Sequence, residues 1–168
     1  LIQGELSEAR DAFEEALRMA TEQGDREMIA LTQRGLAETF LRLGQFQAAV
    51  KAARSGVTAA QVFAEPLGLA EARLRLADAL MSVGDLPDAL ESLRRARRAF
   101  QHLGARAGLA ESLAMMGTLA MRQNSYERAE QCFRKAEAQL DDLGATTAPL
   151  WAVRRTFALL EMEKPTEA

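Results

Sequence analysis

The stretch Gly84–Ala96, GDLPDALESLRRA, is one of four copies of a pattern that recurs along the chain. The other copies are Gly4–Ala16 (GELSEARDAFEEA), Gly44–Gly56 (GQFQAAVKAARSG) and Asn124–Ala136 (NSYERAEQCFRKA). Their first residues, 4, 44, 84 and 124, are 40 positions apart each time. A constant period of this length is typical of a helical repeat array, in which each repeat packs mainly on its neighbours.

The composition is that of an ordinary folded protein. Hydrophobic residues make up 48% and charged residues 27% of the 168 residues, and the net charge of -3 gives no general attraction to nucleic acid or anionic membranes. A single cysteine excludes an internal disulfide and a multi-cysteine metal site. No long apolar run and no secretory leader pattern is visible. We therefore expect a cytoplasmic protein, and the many Arg and Ala residues with few Lys favour a bacterial source.

Between glycine and proline breaks, apolar residues recur at three- and four-residue spacing, which predicts amphipathic helices. The predicted helices are 5–22, 26–43, 46–63, 67–83, 86–103, 105–123, 126–143 and about 149–163. Glycines 24, 44, 84 and 104 are placed to end helices in the left-handed conformation, and Asp25 is placed to cap the next helix. Pro66 is expected in the first turn of its helix.

Aligning the chain on the 40-residue period produces columns of similar side chains. In the second helix of each pair the columns are Leu6, Phe46, Leu86 and Tyr126; Ala9, Ala49, Ala89 and Ala129; Phe13, Ala53, Leu93 and Phe133; and Ala16, Gly56, Ala96 and Ala136. In the first helix they are Leu36, Leu76 and Met116; Ala37, Ala77 and Gly117; and Phe40, Leu80 and Ala120. Small residues let two helices approach closely, and large ones fill the space between them.

These columns resemble the tetratricopeptide repeat family, in a longer variety whose period is about 40 residues. The best copies are Leu36-Ala37, Phe40, Gly44, Phe46 and Ala49, together with Ala9, Phe13 and Ala16. The resemblance implies an all-α, right-handed superhelical solenoid of antiparallel helix pairs. We expect one array over 1–168, taken from a larger protein: a second helix at 1–24, repeats 25–64, 65–104 and 105–144, and a further first helix at 145–163. Two registers fit that last helix: the strict period, or one residue shorter, which puts Thr156 in the small column.

In this family the first helix of each pair lines the concave face and takes the ligand. The resemblance therefore implies a peptide- or partner-binding surface at the inner positions of the first helices. These positions are Leu31, Arg34, Glu38, Leu41, Arg42, Glu71, Leu74, Asp78, Met81, Glu111, Thr118, Met121 and Arg122. Leu41, Met81 and Met121 share one repeat position, where they form either an apolar strip for a peptide or part of the packing between first helices. Trp151 extends the same surface if the register allows.

Catalytic and metal-binding patterns are absent from the sequence, so we expect no enzyme activity, cofactor or metal within it. His102 is the only histidine and is interpreted as a surface residue near a helix end, and Cys132 as an inert, partly buried thiol. Asp141 and Asp142 are adjacent on a helix and do not converge. The cluster Arg94, Arg95, Arg97 and Arg98 is interpreted as a solvated outer face, with Glu91 placed to pair with Arg95.

The sequence thus predicts a protein-interaction scaffold that binds a helix or an extended peptide on its concave face. The partner is a protein or peptide, which includes other domains of the same parent chain, and neither nucleic acid nor membrane. Two alternatives stay open. One is a regulatory segment that transmits effector or partner binding to an attached ATPase, protease or DNA-binding domain, and the other is a structural spacer or self-association module.

Overall fold

A computed structural model describes residues 2–63, 65–141 and 150–162, and all regular structure within these ranges is α-helical. The helices are α1 Ile2–Gln23, α2 Arg26–Arg42, α3 Phe46–Phe63, α4 Pro66–Val83, α5 Leu86–Leu103, α6 Arg106–Arg122, α7 Tyr126–Asp141 and α8 Leu150–Met162. The predicted all-α repeat fold is confirmed, and the ends of α2 to α6 lie within one residue of their predicted positions. The largest difference is α1, which begins at Ile2 instead of residue 5.

The turns between helices repeat one backbone geometry. Gly24, Gly44, Gly84 and Gly104 have φ between 67° and 86°, and Asn124 has φ 56°. In each turn the next residue's amide bonds to the carbonyl five residues back, at 2.8 to 2.9 Å. This left-handed closure is easiest for glycine and is tolerated by asparagine, so the residue type decides where each of these helices ends.

Side-chain caps fix where two of the first helices begin. Asp25 accepts a hydrogen bond from the amide of Met28 at 3.0 Å. Glu65 accepts from the amides of Leu67, at 2.9 Å, and Gly68. Pro66 follows Glu65 as the first residue of α4, as predicted, because its missing N–H has no partner in the first turn of a helix.

The chain divides into two compact units, Leu1–Ala99 and Phe100–Ala168. In the first unit, α2 packs against α1, α3 and α4, and α3 packs against α4. Its core cluster is made mostly of alanine, with partly buried Phe13 and Phe40 against it; its buried members are Leu36, Ala37, Ala49, Ala52, Ala53 and Ala79. One column departs from expectation here, because Phe46 is 42% exposed.

In the second unit, α7 packs against both α6 and α8. Its core surrounds Phe133, which is fully buried; the other buried members are Leu113, Ala114, Ala120, Ala129, Ala136 and Ala158. A Cβ on Gly117 would lie 2.8 Å from the Phe133 ring, and one on Gly108 would lie 2.5 Å from the Phe100 ring. These two glycines are therefore required by the close approach of a ring to the helix backbone.

The burial of Ala158 bears on the two registers predicted for α8. Ala158 is 0% exposed and shares a cluster with Phe133 on the preceding helix. Ala79 has the matching environment in the first unit, where it is 0% exposed and shares a cluster with Ala53. On the strict period the counterpart of Ala79 would be residue 159. The residue of α8 that has this environment is Ala158, one position earlier in the sequence. Ala158 thus follows the shorter register, whereas Thr156, which that register puts in the small column, is exposed and its column partners Ala37 and Ala77 are buried.

Candidate recognition surface

The first helices α2 and α4 lie side by side and are joined by an ion pair between Arg34 and Glu71. The Arg34 side chain is 33% exposed and that of Glu71 is 41% exposed, so the pair lies at the surface. A pair of this exposure contributes little to stability, on the order of 0–1 kcal/mol. Its main effect is to hold two charged groups from consecutive repeats at one place on the surface.

The surface of α2 has an apolar part and a charged part. Leu31 is 42% exposed and Met28, one turn before it, is 43% exposed. Glu38 and Arg42 are exposed further along the same helix. The predicted surface residues do not include Met28, which lies one turn before Leu31, the first of them. Two large apolar side chains one turn apart thus lie at the surface of α2 beside charged ones.

Two of the predicted surface residues lie in the interior. Leu74 is 2% exposed and Met81 is 5% exposed. Leu41 is half-buried against the core cluster of the first unit, and Met121 is half-buried against that of the second. The position shared by Leu41, Met81 and Met121 thus completes the packing, which is the second of the two interpretations offered above, and it leaves no continuous apolar strip at the surface.

The remaining predicted residues are half-buried or exposed, and Thr118 contacts a later first helix. Glu71, Asp78, Glu111 and Thr118 are half-buried, and Arg122 is exposed. The Thr118 hydroxyl accepts a hydrogen bond from the Arg154 guanidinium on α8 at 2.5 Å. Arg154 corresponds to Arg34 on the strict period and to the next residue, Gly35, in the shorter register. The repeat alignment could therefore have identified it. The side chain of Trp151 lies outside the described residues.

A neighbouring arginine, Arg155, attaches α8 to α7. It donates hydrogen bonds to Glu137 at 2.6 Å and to Glu130 at 3.2 Å. The hydrogen bond to Glu137 is the main cause that raises the pKa of Arg155. These contacts fix the position of α8, and with it the Arg154 side chain beside Thr118.

The residues whose types could bind a metal ion or carry catalysis lie as follows. Among the described residues there is no group of three or more His, Cys, Asp or Glu side chains that could hold a metal ion. His102 is exposed and Cys132 is half-buried. Asp142 and the side chain of Asp141 lie outside the described residues.

The arginine cluster on α5 follows the sequence prediction with one exception. Arg95 donates to Glu91 at 2.8 Å, so the predicted pair is confirmed, and Arg94 and Arg98 are exposed. Arg97 is different, because it is half-buried and its Nε is buried without a hydrogen-bond partner. The prediction that all four arginines face solvent is therefore wrong for Arg97.

A family model described as tetratricopeptide repeat matches residues 1–61 and 68–142. The chain belongs to the tetratricopeptide repeat family. The resemblance inferred from the columns is thereby confirmed, and the family as a whole mediates protein–protein interactions. No curated protein matches the sequence.

Among solved structures, this tetratricopeptide repeat chain is similar to the crystal structure of BtubC (BKLC) from P. vanneervenii. The TM-score is 0.73 and the sequence identity 20%, over 95% of this chain and 65% of that one. The chain thus spans about two thirds of the length of that protein, and at this identity the likeness concerns the fold alone. None of the described helices is long and apolar enough to cross a membrane.

Proposed function

We propose that this tetratricopeptide repeat chain is a non-catalytic recognition module of a larger protein, and that it binds a protein segment along α2 and α4. The observation that carries the proposal is the surface formed by Met28, Leu31, Arg34, Glu38 and Glu71, in which exposed apolar side chains adjoin an ion pair that joins two first helices. We call these five residues the α2–α4 surface.

The chemistry of this surface favours a short segment with both an apolar anchor and charges. Met28 and Leu31 are one helical turn apart, so a single large side chain of the partner can contact both. Arg34 and Glu38 lie on the following turns and offer one charge of each sign. A helix or an extended peptide with an apolar residue beside acidic and basic residues would match this order.

Selection from a library of short random peptides displayed on phage tests the proposal directly. Peptides selected on the wild-type chain are then measured for affinity against the double variant Leu31→Glu/Glu38→Arg. We expect affinity to fall at least about tenfold, or ~1.4 kcal/mol, because the variant removes the apolar contact and reverses a charge. Both residues are exposed, so the fold should remain intact, which circular dichroism checks.

The matched control is Val62→Glu/Glu14→Arg, which makes the same two changes at exposed positions of second helices. It should leave the affinity of the selected peptides unchanged. If the control weakens binding as much as the test variant does, or if the test variant binds normally, recognition does not use the α2–α4 surface and the proposal fails.

A further inference from the structure

A groove of about 240 Å³ lies between the second helices α3 and α5, with α4 as its floor. Its apolar lining is formed by Leu76 and Leu80 on α4 and by Val57 on α3. Arg54, Arg73 and Arg95 also line it, one from each of the three helices. The volume is smaller than the roughly 300–1,000 Å³ of typical small-molecule sites, so it suits a side chain better than a cofactor.

Arg73 is the unusual residue of this groove. The repeat alignment places it at the position of Gln33 and Leu113, and Leu113 is a core residue that is 6% exposed. Arg73 is half-buried, and its guanidinium makes no hydrogen bond or ion pair with any described residue. Burial, followed by the nearby charge of Arg95, lowers the pKa of Arg73. The repeat fold thus accepts a neutral residue here, and the arginine places an unbalanced charge in the groove.

The other charged groups of the groove are already paired. Glu91 accepts from Arg95 at 2.8 Å, and Asp88 lies 3.7 Å from Arg54. Three guanidiniums and two carboxylates leave a net charge of +1 (3 − 2), which belongs to Arg73. The Ser92 hydroxyl is not a hydrogen-bond partner of this guanidinium, because it donates to the backbone carbonyl of Arg73 at 2.9 Å.

We propose that this groove binds the carboxylate of an aspartate or glutamate side chain from a partner protein. One carboxylate balances the single unpaired charge of Arg73, and the methylene groups beside it pack on Val57, Leu76 and Leu80. A phosphate group carries more negative charge than the groove has unpaired, and Asp88 and Glu91 would repel the excess. The groove is on the second-helix side of the repeats and does not include the α2–α4 surface, so each proposal can fail without the other.

The test uses N-acetylglutamate N-methylamide as the probe and the ¹⁵N-labelled chain of 168 residues. Arginine Nε–H resonances are followed by NMR during the titration. We expect a saturable shift of the Arg73 signal with a Kd of roughly millimolar, as suits one charge-assisted contact near the surface. The neutral probe N-acetylglutamine N-methylamide should produce no saturable shift, since it lacks the charge.

Arg73→Leu supplies the decisive variant, because leucine is the residue at the same position of the next repeat. It should abolish the shift that the carboxylate probe causes in the Arg95 signal while leaving the melting temperature unchanged or higher, since an unpaired, half-buried charge is removed. The matched control is Arg94→Leu, which removes the same charge from an exposed position of α5 that does not line the groove. This control should bind the probe as the wild type does.

Three results would overturn the proposal. They are equal binding of the glutamine probe, unaltered carboxylate binding by Arg73→Leu, and tighter binding of inorganic phosphate than of the carboxylate probe at the same ionic strength. If Arg73→Leu does not fold, Arg95→Gln replaces it, because it lowers the positive charge of the groove at an exposed residue. Unchanged binding by a folded Arg95→Gln would contradict the proposal equally.

Discussion

The cores of the two units fill the same repeat positions in opposite order. In the first unit, the large residue Phe40 is on the first helix α2, and the small residue Ala53 is on the second helix α3. In the second unit, the small residue Ala120 is on α6, and the large residue Phe133 is on α7. Residues 80 positions apart correspond to each other, so the phenylalanine is on the first helix in one unit and on the second helix in the other.

The repeat 65–104 follows the first of these repeats in the sequence and precedes the second, and its side chains at the two positions are intermediate in size. It has Leu80 and Leu93 at these two positions, which are 3% and 0% exposed. Across the three repeats the pairs are therefore large with small, medium with medium, and small with large. A close-packed interior constrains the summed volume of facing side chains more strongly than the identity of either one.

The largest expected effect comes from Phe133→Ala, which removes the ring at the centre of the second unit's core. It should lower the free energy of unfolding by about 3–5 kcal/mol, because a fully buried phenylalanine leaves a cavity. Hydrogen exchange should show the loss in the amides of α6 and α7, since stability in repeat proteins is local. Urea unfolding followed by circular dichroism measures its size.

The comparison with the first unit predicts how that loss is repaired. Adding Ala120→Phe to Phe133→Ala gives the second unit the order of the first, and it should recover most of the stability, to within about 1.5 kcal/mol of the wild type. Recovery is incomplete because Phe40, the residue being copied, is only partly buried. If the double variant is no more stable than Phe133→Ala alone, the two positions do not compensate for each other in volume.

A smaller effect is expected at Gly117. The absence of a side chain at this position follows from the location of the large residue, Phe133, on the second helix. Its counterpart in the first unit is Ala37, which has room for a Cβ because Ala53 is small. Gly117→Ala would place a Cβ 2.8 Å from the Phe133 ring. Overpacking of about 1–3 kcal/mol then exceeds the gain of about 1 kcal/mol in helix propensity, so the net result should be a loss.

The measurement is urea unfolding of Gly117→Ala in the wild type and in the Phe133→Ala background. In the second background the ring is gone, and the substitution should become stabilising. A change of sign between the two backgrounds identifies the ring as the cause. The same loss in both would mean that the glycine is required for another reason.

The sequence predicts most of this fold because its signals are local and repeated. Four glycines and Asn124 determine the turns, and three of the four alanines in the column that includes Ala49 are fully buried, Ala9 being the exception. Phe46 shows the limit, since a repeat column does not specify how much of a side chain its neighbours cover. The register of α8 was left open because a one-residue shift changes few residue types and is visible only in burial.

The surface residues were harder to predict for a physical reason. Inner positions of the first helices were chosen by their place in the repeat, but whether a side chain there is exposed depends on how closely adjacent first helices pack. Leu74 and Met81 are covered, whereas Leu31 is 42% exposed. Arg73 is not predictable from the sequence, because its importance comes from the partner it lacks and a sequence pattern does not show missing partners.

The smallest expected effect concerns the start of the first helices, where the two units also differ. Asp25 caps α2 through the amide of Met28 at 3.0 Å, whereas Ala105, 80 positions later, caps α6 without a side-chain hydrogen bond. Ala105→Asp should raise the free energy of unfolding by roughly 1 kcal/mol, because a carboxylate there can accept from the amide of Gly108 and interacts favourably with the positive end of the helix dipole. Asp25→Ala should lower the free energy of unfolding by a similar amount, with the loss in the first unit.

Urea unfolding of each variant, with hydrogen exchange to locate the change in α6 or in α2, tests both expectations. An Ala105→Asp chain no more stable than the wild type would show that the backbone of this turn, and not the missing side chain, limits the capping of α6.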